Sequence, residues 1–233
     1  MKILFRKRCN PLKANFIKKC IVGFGESYNA TVREIMNNSH EGIKRKIFFK
    51  NVATLLPNFG MTRAGPFKGV NYSGGIVHDP NGQIAASWAG VGNKTIKLRK
   101  FLDQHKKRRA RVLVEIPSSV QKEVASELWK IFKKLVSLCM EKNTFGLVAA
   151  GKVLFAVLPE VALPIDNTQW RSVFKTIDYG DIIALMAAEI TEWEKRVGKQ
   201  LDLCDPHHSF TLPAIYNVMA MKARHYKNTG VSS

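Results

Sequence analysis

Apolar residues in the second half of the chain recur at helical spacing. One face of a long helix is traced by Val120, Val124, Leu128, Ile131, Leu135 and Leu138. Residues 148–158 form a shorter apolar run that ends at Pro159, and residues 181–197 combine an apolar face with outward glutamates. Thr211 is placed to cap a last helix. The pattern predicts a helical domain over residues 118–233.

The first half of the chain has two different patterns. Residues 26–56 carry two apolar stripes at helical spacing, which predicts a basic, helical N-terminal segment over residues 1–56. Residues 57–93 are rich in glycine and have no helical period. Turn residues 79–82 lie between two short runs that favour strands, so we expect a hairpin or an irregular loop there. Residues 57–117 are predicted to form this glycine-rich region and a basic run.

The predicted fold class is therefore mainly α, with a glycine-rich, partly β region in the N-terminal half. Four cysteines are scattered along the chain without the paired spacing of a zinc site or a disulfide framework. The run Cys204-Asp205-Pro206-His207-His208 lacks a second cluster of ligands, so we predict no metal site and no obligatory cofactor. The first residues lack the long apolar region of a secretory signal. We expect a prokaryotic cytoplasm or a nucleus as the compartment.

Positive charge is the strongest feature of the composition. The chain holds 37 Lys+Arg against 18 Asp+Glu, a formal net charge of +19. Residues 1–20 carry seven basic groups and no acid, and residues 94–111 carry nine basic groups against Asp103 alone. Phosphate backbones neutralise such clusters and release counterions. The clusters predict a nucleic-acid partner, DNA rather than RNA; a ribosomal RNA patch or a solvated surface remains an alternative, and no stretch is apolar enough for a membrane span.

Glycines beside the basic run suggest a cradle for phosphate. The sequence Gly90-Val91-Gly92-Asn93-Lys94 could open a helix whose free backbone amides point at an anion, or it could be a glycine turn leaving a strand. A second glycine precedes a lysine at positions 151–152. The predicted nucleic-acid contacts are Gly90, Gly92, Lys94, Lys97, Arg99, Lys100, Lys106, Lys107, Arg108, Arg109 and Gly151.

The stretch around Lys152 and Asp166 is the strongest candidate for chemistry. Lys152 follows Gly151 and lies in an otherwise apolar run, where partial burial would lower the pKa of its amine toward nucleophilic use. Asp166 follows Pro164 directly before the next predicted helix. An ammonium and a carboxylate could therefore share one pocket. Alternatively, Asp166 caps its helix and Lys152 is an interhelical or phosphate-contacting lysine.

The order Gly-Lys-Val, apolar helix, Pro-Ile-Asp and Trp, over about residues 146–175, resembles the helix-hairpin-helix DNA glycosylases, particularly the 8-oxoguanine type. The resemblance implies a helical bundle in which Lys152 attacks the sugar C1′ and Asp166 supports the sugar cation. Residues 147–151 keep one glycine of the family's Leu-Pro-Gly-Val-Gly hairpin, and the interval from Lys152 to Asp166 is shorter than the family's. The resemblance therefore implies a DNA glycosylase with lyase activity that flips a damaged base into a pocket.

Two other classes of function stay open. One is a helical DNA- or RNA-binding protein without enzymatic activity, in which the basic clusters alone carry the function. The other, weaker alternative is a metal-dependent nuclease, for which the acidic residues Asp103, Glu115 and Glu123 show no recognisable signature. The sequence does not indicate the target base or the oligomeric state.

Overall fold

The structure is a computed structural model that is mainly helical, with one small two-stranded hairpin. It describes residues 2–6, 9–40, 42–105, 107–140 and 146–228, with side chains as far as residue 223. The helices are α1 (Ala14–Val22), α2 (Glu26–Asn38), α3 (Arg45–Asn58), α4 (Gln83–His105), α5 (Val112–Glu115), α6 (Ser118–Cys139), α7 (Leu147–Val157), α8 (Tyr179–Val197) and α9 (Leu212–Asn228). The predicted mainly α fold class is confirmed.

The helices predicted from residue 118 onward are confirmed, but the glutamates of residues 181–197 do not all point outward, because Glu189 is buried. The long stripe that begins at Val120 forms α6, and the short apolar run forms α7, which ends two residues before Pro159. Thr211 accepts a hydrogen bond from the backbone N–H of Ala214 (3.3 Å) at the start of α9, as its capping role predicts. Between α7 and α8 the chain forms a single π-helical turn, Gln169–Phe174.

The hairpin lies earlier in the chain than the turn signal indicates. Strands β1 (Asn71–Ser73) and β2 (Ile76–His78) pair antiparallel around Gly74 and Gly75. The prediction of a strand over residues 83–85 was wrong, because α4 begins there. Asp79 starts this helix: its carboxylate accepts from the backbone N–H groups of the second and third helical residues (2.9 and 3.1 Å).

Helix α6 lies at the centre of the fold, between α4 and α8, and it also packs against α7. The ring of Phe132, on α6, stacks on that of Tyr179, at the start of α8, with centroids 4.4 Å apart. A single cluster of buried apolar residues extends from Ile3 to Ala223. Within the part of the chain that the structure describes, no helix is both long and apolar enough to cross a bilayer.

Residues 2–6 and 9–12 lie antiparallel, joined by a bridge between Phe5 and Pro11, and pack on helix α8, in a region expected to form a basic helical segment. The backbone N–H of Leu4 donates to the carboxylate of Glu189, which also accepts from the hydroxyl of Tyr216 (2.7 Å). The indole of Trp193 donates to the backbone oxygen of Leu12 (2.9 Å). These contacts join the start of the chain to its last third. The three-part division of the chain remains a prediction.

Candidate functional site

In the basic run at residues 94–111, arginines and lysines have different environments. The arginines form ion pairs and hydrogen bonds with other parts of the fold. Arg99 is buried (2% exposed) and forms an ion pair with Glu160, which is 1% exposed. Its Nε also lies 3.1 Å from a carboxylate oxygen of Asp103. Arg109 donates to the hydroxyl of Ser39 (2.7 Å) and pairs with the same Glu160 (3.4 Å). A nucleic-acid contact by Arg99 is contradicted, since its guanidinium is enclosed by protein.

Arg108 and Arg111 belong to a second group of ion pairs. Arg108 contacts Glu115 (3.1 Å) and Asp202 (3.7 Å), while half of its side chain remains exposed. Arg111 is buried between Glu194 (2.8 Å) and the same Asp202. These pairs connect the segment after α4 to α8 and to the short helical turn that follows it. The arginines of the run therefore connect elements of the fold through ion pairs.

The lysines of the same run, in contrast to the arginines, are exposed. Lys94, Lys97 and Lys100 are exposed on α4, and Lys107 is exposed just after it. Across the described ranges none of these four ammonium groups forms an ion pair. The first three stand three residues apart, which places them along one side of the helix over about 9 Å. We call these three side chains the lysine ridge. Lys106 lies outside the described residues.

The predicted glycine cradle is wrong, because Gly90 and Gly92 lie inside α4. In the middle of a helix their backbone N–H groups are used by the helix itself, which leaves none to hold a phosphate. A Cβ at Gly90 would stand 2.6 Å from Leu138 of α6, and one at Gly92 would stand 2.7 Å from the ring of Trp88. Both glycines therefore make room for close packing rather than for an anion.

Gly151 is also misassigned as a phosphate contact. It is buried in the second turn of α7, where a Cβ would lie 3.6 Å from the backbone of Leu163 and of Ile165. The glycine that shapes the junction before α7 is Gly146, whose φ is +67°. A Cβ there would stand 2.7 Å from the backbone oxygen of Val136. Sequence reasoning missed Gly146 because no turn motif surrounds it.

Lys152 is a buried amine in an apolar setting. Its side chain is 5% exposed, and its Nζ lies 4.2 Å from the centre of the Phe59 ring. Burial lowers the pKa of the Lys152 ammonium to about 8, and the nearby charge of Asp166 opposes part of this change. No hydrogen bond or ion pair of Lys152 occurs among the described residues. A substantial fraction of this amine is therefore neutral near physiological pH.

Asp166 caps the helical turn that follows it. Its carboxylate accepts from the backbone N–H of Gln169 (2.6 Å), and its own backbone N–H donates to the side-chain oxygen of Gln169 (2.7 Å). This reciprocal arrangement is a capping box. The Asp166 carboxylate raises the pKa of Lys152 through a longer-range electrostatic interaction, because no ion pair joins these two described residues. The capping role predicted for Asp166 is confirmed, and the pair is near but not in contact.

A buried chain of polar groups continues from Asp166 into the core. The side-chain amide of Gln169 donates to Asn217 on α9 (2.9 Å), and the amide of Asn217 donates to the hydroxyl of Tyr28 (3.3 Å). The Tyr28 ring contacts the edge of Phe59, the ring that lies beside Lys152. Asn217 and Tyr28 were not predicted, because they are distant in sequence from the Lys152 motif and carry no motif of their own.

A cavity of about 1160 Å³ lies beside the start of α7. Apolar side chains dominate its wall, together with the cations Arg171 and Lys175. The ring of Trp170 also lines it, and the indole N–H of this residue is buried without a hydrogen-bond partner among the described residues. Neither Lys152 nor Asp166 is part of the wall. The structure thus does not bring the two predicted catalytic residues into this cavity.

Asp205, one of the residues considered for metal binding, has other partners. The carboxylate of Asp205 accepts from the backbone N–H groups of His207 (3.0 Å), Ser209 (2.7 Å) and Phe210 (2.9 Å), which organises its own loop. Over the described ranges, no group of three or more His, Cys, Asp or Glu residues is placed to hold an ion. The four cysteines are free thiols, with only Cys9 exposed.

Comparison of the chain with protein-family models, with curated proteins and with solved structures gives no match.

Proposed function

We propose that this protein binds nucleic acid, DNA in preference to RNA, through the lysine ridge of α4. The observation that carries the proposal is the exposure of Lys94, Lys97 and Lys100 without ion pairs, on a helix whose neighbouring arginines are neutralised inside the fold. Unpaired ammonium groups on a rigid helix attract phosphates, and each contact releases condensed counterions. A DNA-binding role belongs in a prokaryotic cytoplasm or a nucleus.

The charge of the surrounding elements supports this proposal. Residues 42–105 contain ten Lys and Arg residues and two acids: Asp79, whose carboxylate is used to start α4, and Asp103, which forms an ion pair with Arg99. This stretch comprises α3, the hairpin and α4, and both the hairpin and α4 pack against α3. The ridge therefore belongs to a continuous unit without a free carboxylate that would repel phosphate.

The test measures how binding depends on salt concentration. A variant with Lys94→Gln, Lys97→Gln and Lys100→Gln is compared with a control that carries Lys122→Gln, Lys195→Gln and Lys199→Gln. The control loses the same charge from exposed positions on and near α6 and α8, outside both basic clusters. We expect the ridge variant to bind labelled duplex more weakly and its log–log salt slope to fall by about 1 per lysine. Equal losses in both variants would show that binding depends on net charge and not on the ridge.

A second proposed function is that of a DNA glycosylase with lyase activity, in a helical bundle of helix-hairpin-helix type. The specific observation in its favour is the buried Lys152 amine, whose pKa is lowered to about 8. In this proposal the neutral amine attacks the sugar C1′, and the bond from C1′ to the base breaks with its electron pair leaving on the base. The nitrogen then loses a proton to the departing base, and the bond from C1′ to the ring oxygen O4′ breaks with its electron pair on O4′, which takes up a proton from water. The product is a Schiff base between Lys152 and the opened sugar. The carboxylate of Asp166 lies close enough to raise the pKa of the Lys152 amine.

The test of the glycosylase uses end-labelled duplexes that contain 8-oxoguanine, uracil, hypoxanthine, an abasic site or no lesion. Each duplex is incubated in EDTA, with and without borohydride, with the wild type, Lys152→Gln and the exposed-lysine control Lys195→Gln. The expected result is a trapped covalent adduct that only Lys152→Gln loses. Binding with every duplex intact, even after alkali, would leave non-enzymatic binding as the better function.

The nuclease alternative has less support. Asp103 and Glu115, two of its candidate carboxylates, are engaged by Arg99 and Arg108 respectively. The EDTA in the assay above also separates a metal-dependent nuclease from a glycosylase, because only the nuclease needs a divalent ion.

A further inference from the structure

The β-hairpin presents an isoleucine at its tip. Ile76 follows the two turn residues directly, pairs with Ser73 across the hairpin and is 62% exposed. The turn residues Gly74 and Gly75 have φ values of +57° and +79°. Positive φ at both central positions defines a type I′ turn, whose twist matches that of the flanking strands. Ile76 is therefore held on a short, well-defined support.

The inner face of the hairpin fixes its position on α3. Tyr72 and Val77 pair with each other on this face, and both are half-buried against the core. The Nζ of Lys50, on α3, lies 5.2 Å from the centre of the Tyr72 ring and donates to Asn38 of α2 (2.8 Å). The tip therefore does not need to be ordered by a ligand, which reduces the entropy cost of binding.

Two aromatic residues that could have contacted bases are used for packing instead. Tyr72 faces α3, and the edge of Trp88 contacts the ring of Phe48 at a centroid distance of 5.3 Å. Stacking on a base by Trp88 would require it to leave this contact. In the glycine-rich region Ile76 is the exposed large apolar residue.

The surroundings of Ile76 favour a polyanion. Residues 42–78 contain six basic residues and no acid. The outer face of the hairpin adds the exposed polar side chains of Asn71, Ser73 and His78 around the isoleucine. A partner protein with an acidic surface would gain from the charge, but a three-residue ribbon offers it little area. A nucleic-acid groove, in contrast, admits a narrow two-stranded ribbon.

We propose that Ile76 acts as an apolar wedge that inserts between adjacent bases of duplex DNA where their stacking is already weak. This inference rests on the proposed nucleic-acid binding and adds to it a preference for mismatched or gapped steps. Isoleucine is one of the side chains that architectural proteins insert between base steps, and the cost of unstacking is smallest at a damaged or mismatched step. The lysine ridge supplies the attraction to phosphate, and the hairpin supplies the selectivity.

The experiment uses duplexes with 2-aminopurine beside a mismatch, because the fluorescence of this base rises when it is unstacked. The full chain is compared with Ile76→Ser, with Ile76→Leu and with the control Val22→Ser, which alters another exposed apolar residue (54% exposed). We expect the wild type, Ile76→Leu and Val22→Ser to raise the fluorescence. Ile76→Ser should not, and its affinity for the mismatched duplex should fall about tenfold, as expected for removing a buried aliphatic side chain from a complex.

The outcomes distinguish the two proposals. If the wild type binds no duplex in a salt-dependent manner, nucleic-acid binding itself is wrong. If it binds with the expected salt slope but Ile76→Ser still raises the fluorescence and keeps its affinity for the mismatch, the wedge is wrong and the binding stands. A loss shared by Val22→Ser would also overturn the wedge, because it would indicate a general effect of removing exposed apolar side chains.

Discussion

Arg99 of α4 and Glu160, which follows α7, form an ion pair in which both side chains are almost completely shielded from water. Asp103 binds the same guanidinium, and Arg109 binds the same carboxylate. The pair joins the basic helix to the core of the helical domain. A substitution of Arg99 should therefore cost far more stability than one of the exposed lysines on the same helix.

Arg99→Met should mainly lower stability, whereas Lys97→Met should mainly weaken duplex binding. Removing Arg99 leaves a buried carboxylate with only Arg109 as a partner, which should lower the free energy of unfolding by about 3 to 5 kcal/mol. Lys97→Met, two residues away on the exposed ridge, should change it by about 0.5 kcal/mol or less and should weaken duplex binding. Urea denaturation and a binding titration measure both quantities. Similar stability of the two variants would contradict a structural role for the ion pair.

The low pKa of Lys152 predicts how stability changes with pH. Between about pH 8 and the ordinary lysine value of 10.5, the unfolded chain binds a proton that the folded protein has released. The free energy of unfolding contributed by this group therefore rises with pH in that window, and below it the folded protein bears the cost of a buried charge. Lys152→Met removes this cost.

The stability advantage of Lys152→Met over the wild type should accordingly shrink by roughly 2 kcal/mol between pH 7 and pH 9.5. Urea denaturation of both proteins at the two pH values gives the difference, in which other titrating groups cancel. Lys195→Met, at an exposed position, serves as the matched control and should show no such change. A constant advantage across this range would mean that the pKa of Lys152 is not lowered.

Two substitutions of Asp166 separate its capping role from a catalytic one. Asn also caps helices well, so Asp166→Asn should keep the stability of the wild type to within a few tenths of a kcal/mol, whereas Asp166→Ala should lose about 1 kcal/mol. If Asp166 supports a sugar cation, both variants lose base excision. Excision that persists in Asp166→Asn would contradict the catalytic role. Equal stability of Asp166→Asn and Asp166→Ala would contradict the capping role.

Much of the fold follows from the sequence where local pattern and burial agree. The apolar stripe of α6 is regular: Val124, Leu128, Ile131 and Leu135 are buried, and the residues at its two ends are half-buried. The first half of α4 was missed because Gly90 and Gly92 favour loops locally. There the helix is imposed by the Asp79 cap and by close packing against Leu138, a residue of α6 that lies far along the chain. Tertiary contact overrides local preference at this point.

The division between arginines and lysines could not be predicted for a similar reason. Arg99 and Glu160 are 61 residues apart, and Arg111 and Glu194 are 83 residues apart. No sequence motif beside Arg99 or Arg111 indicates which carboxylate it pairs with. The planar guanidinium forms several directed hydrogen bonds and tolerates burial with a carboxylate better than an ammonium does. The sequence of the basic run consequently does not show which of its members are exposed without ion pairs and which are paired inside the fold.

The attachment of residues 2–6 and 9–12 to α8 also affects how the chain acquires its fold. Leu4 and its partner Glu189 are 185 residues apart, so this contact cannot form until synthesis has passed Glu189. At ordinary translation rates that interval is roughly 10 to 40 s. During it the apolar side chains of Ile3, Leu4 and Phe5, which end up fully buried, remain in water. These three residues are thus among the last to reach their native contacts, and until then chaperones can bind them.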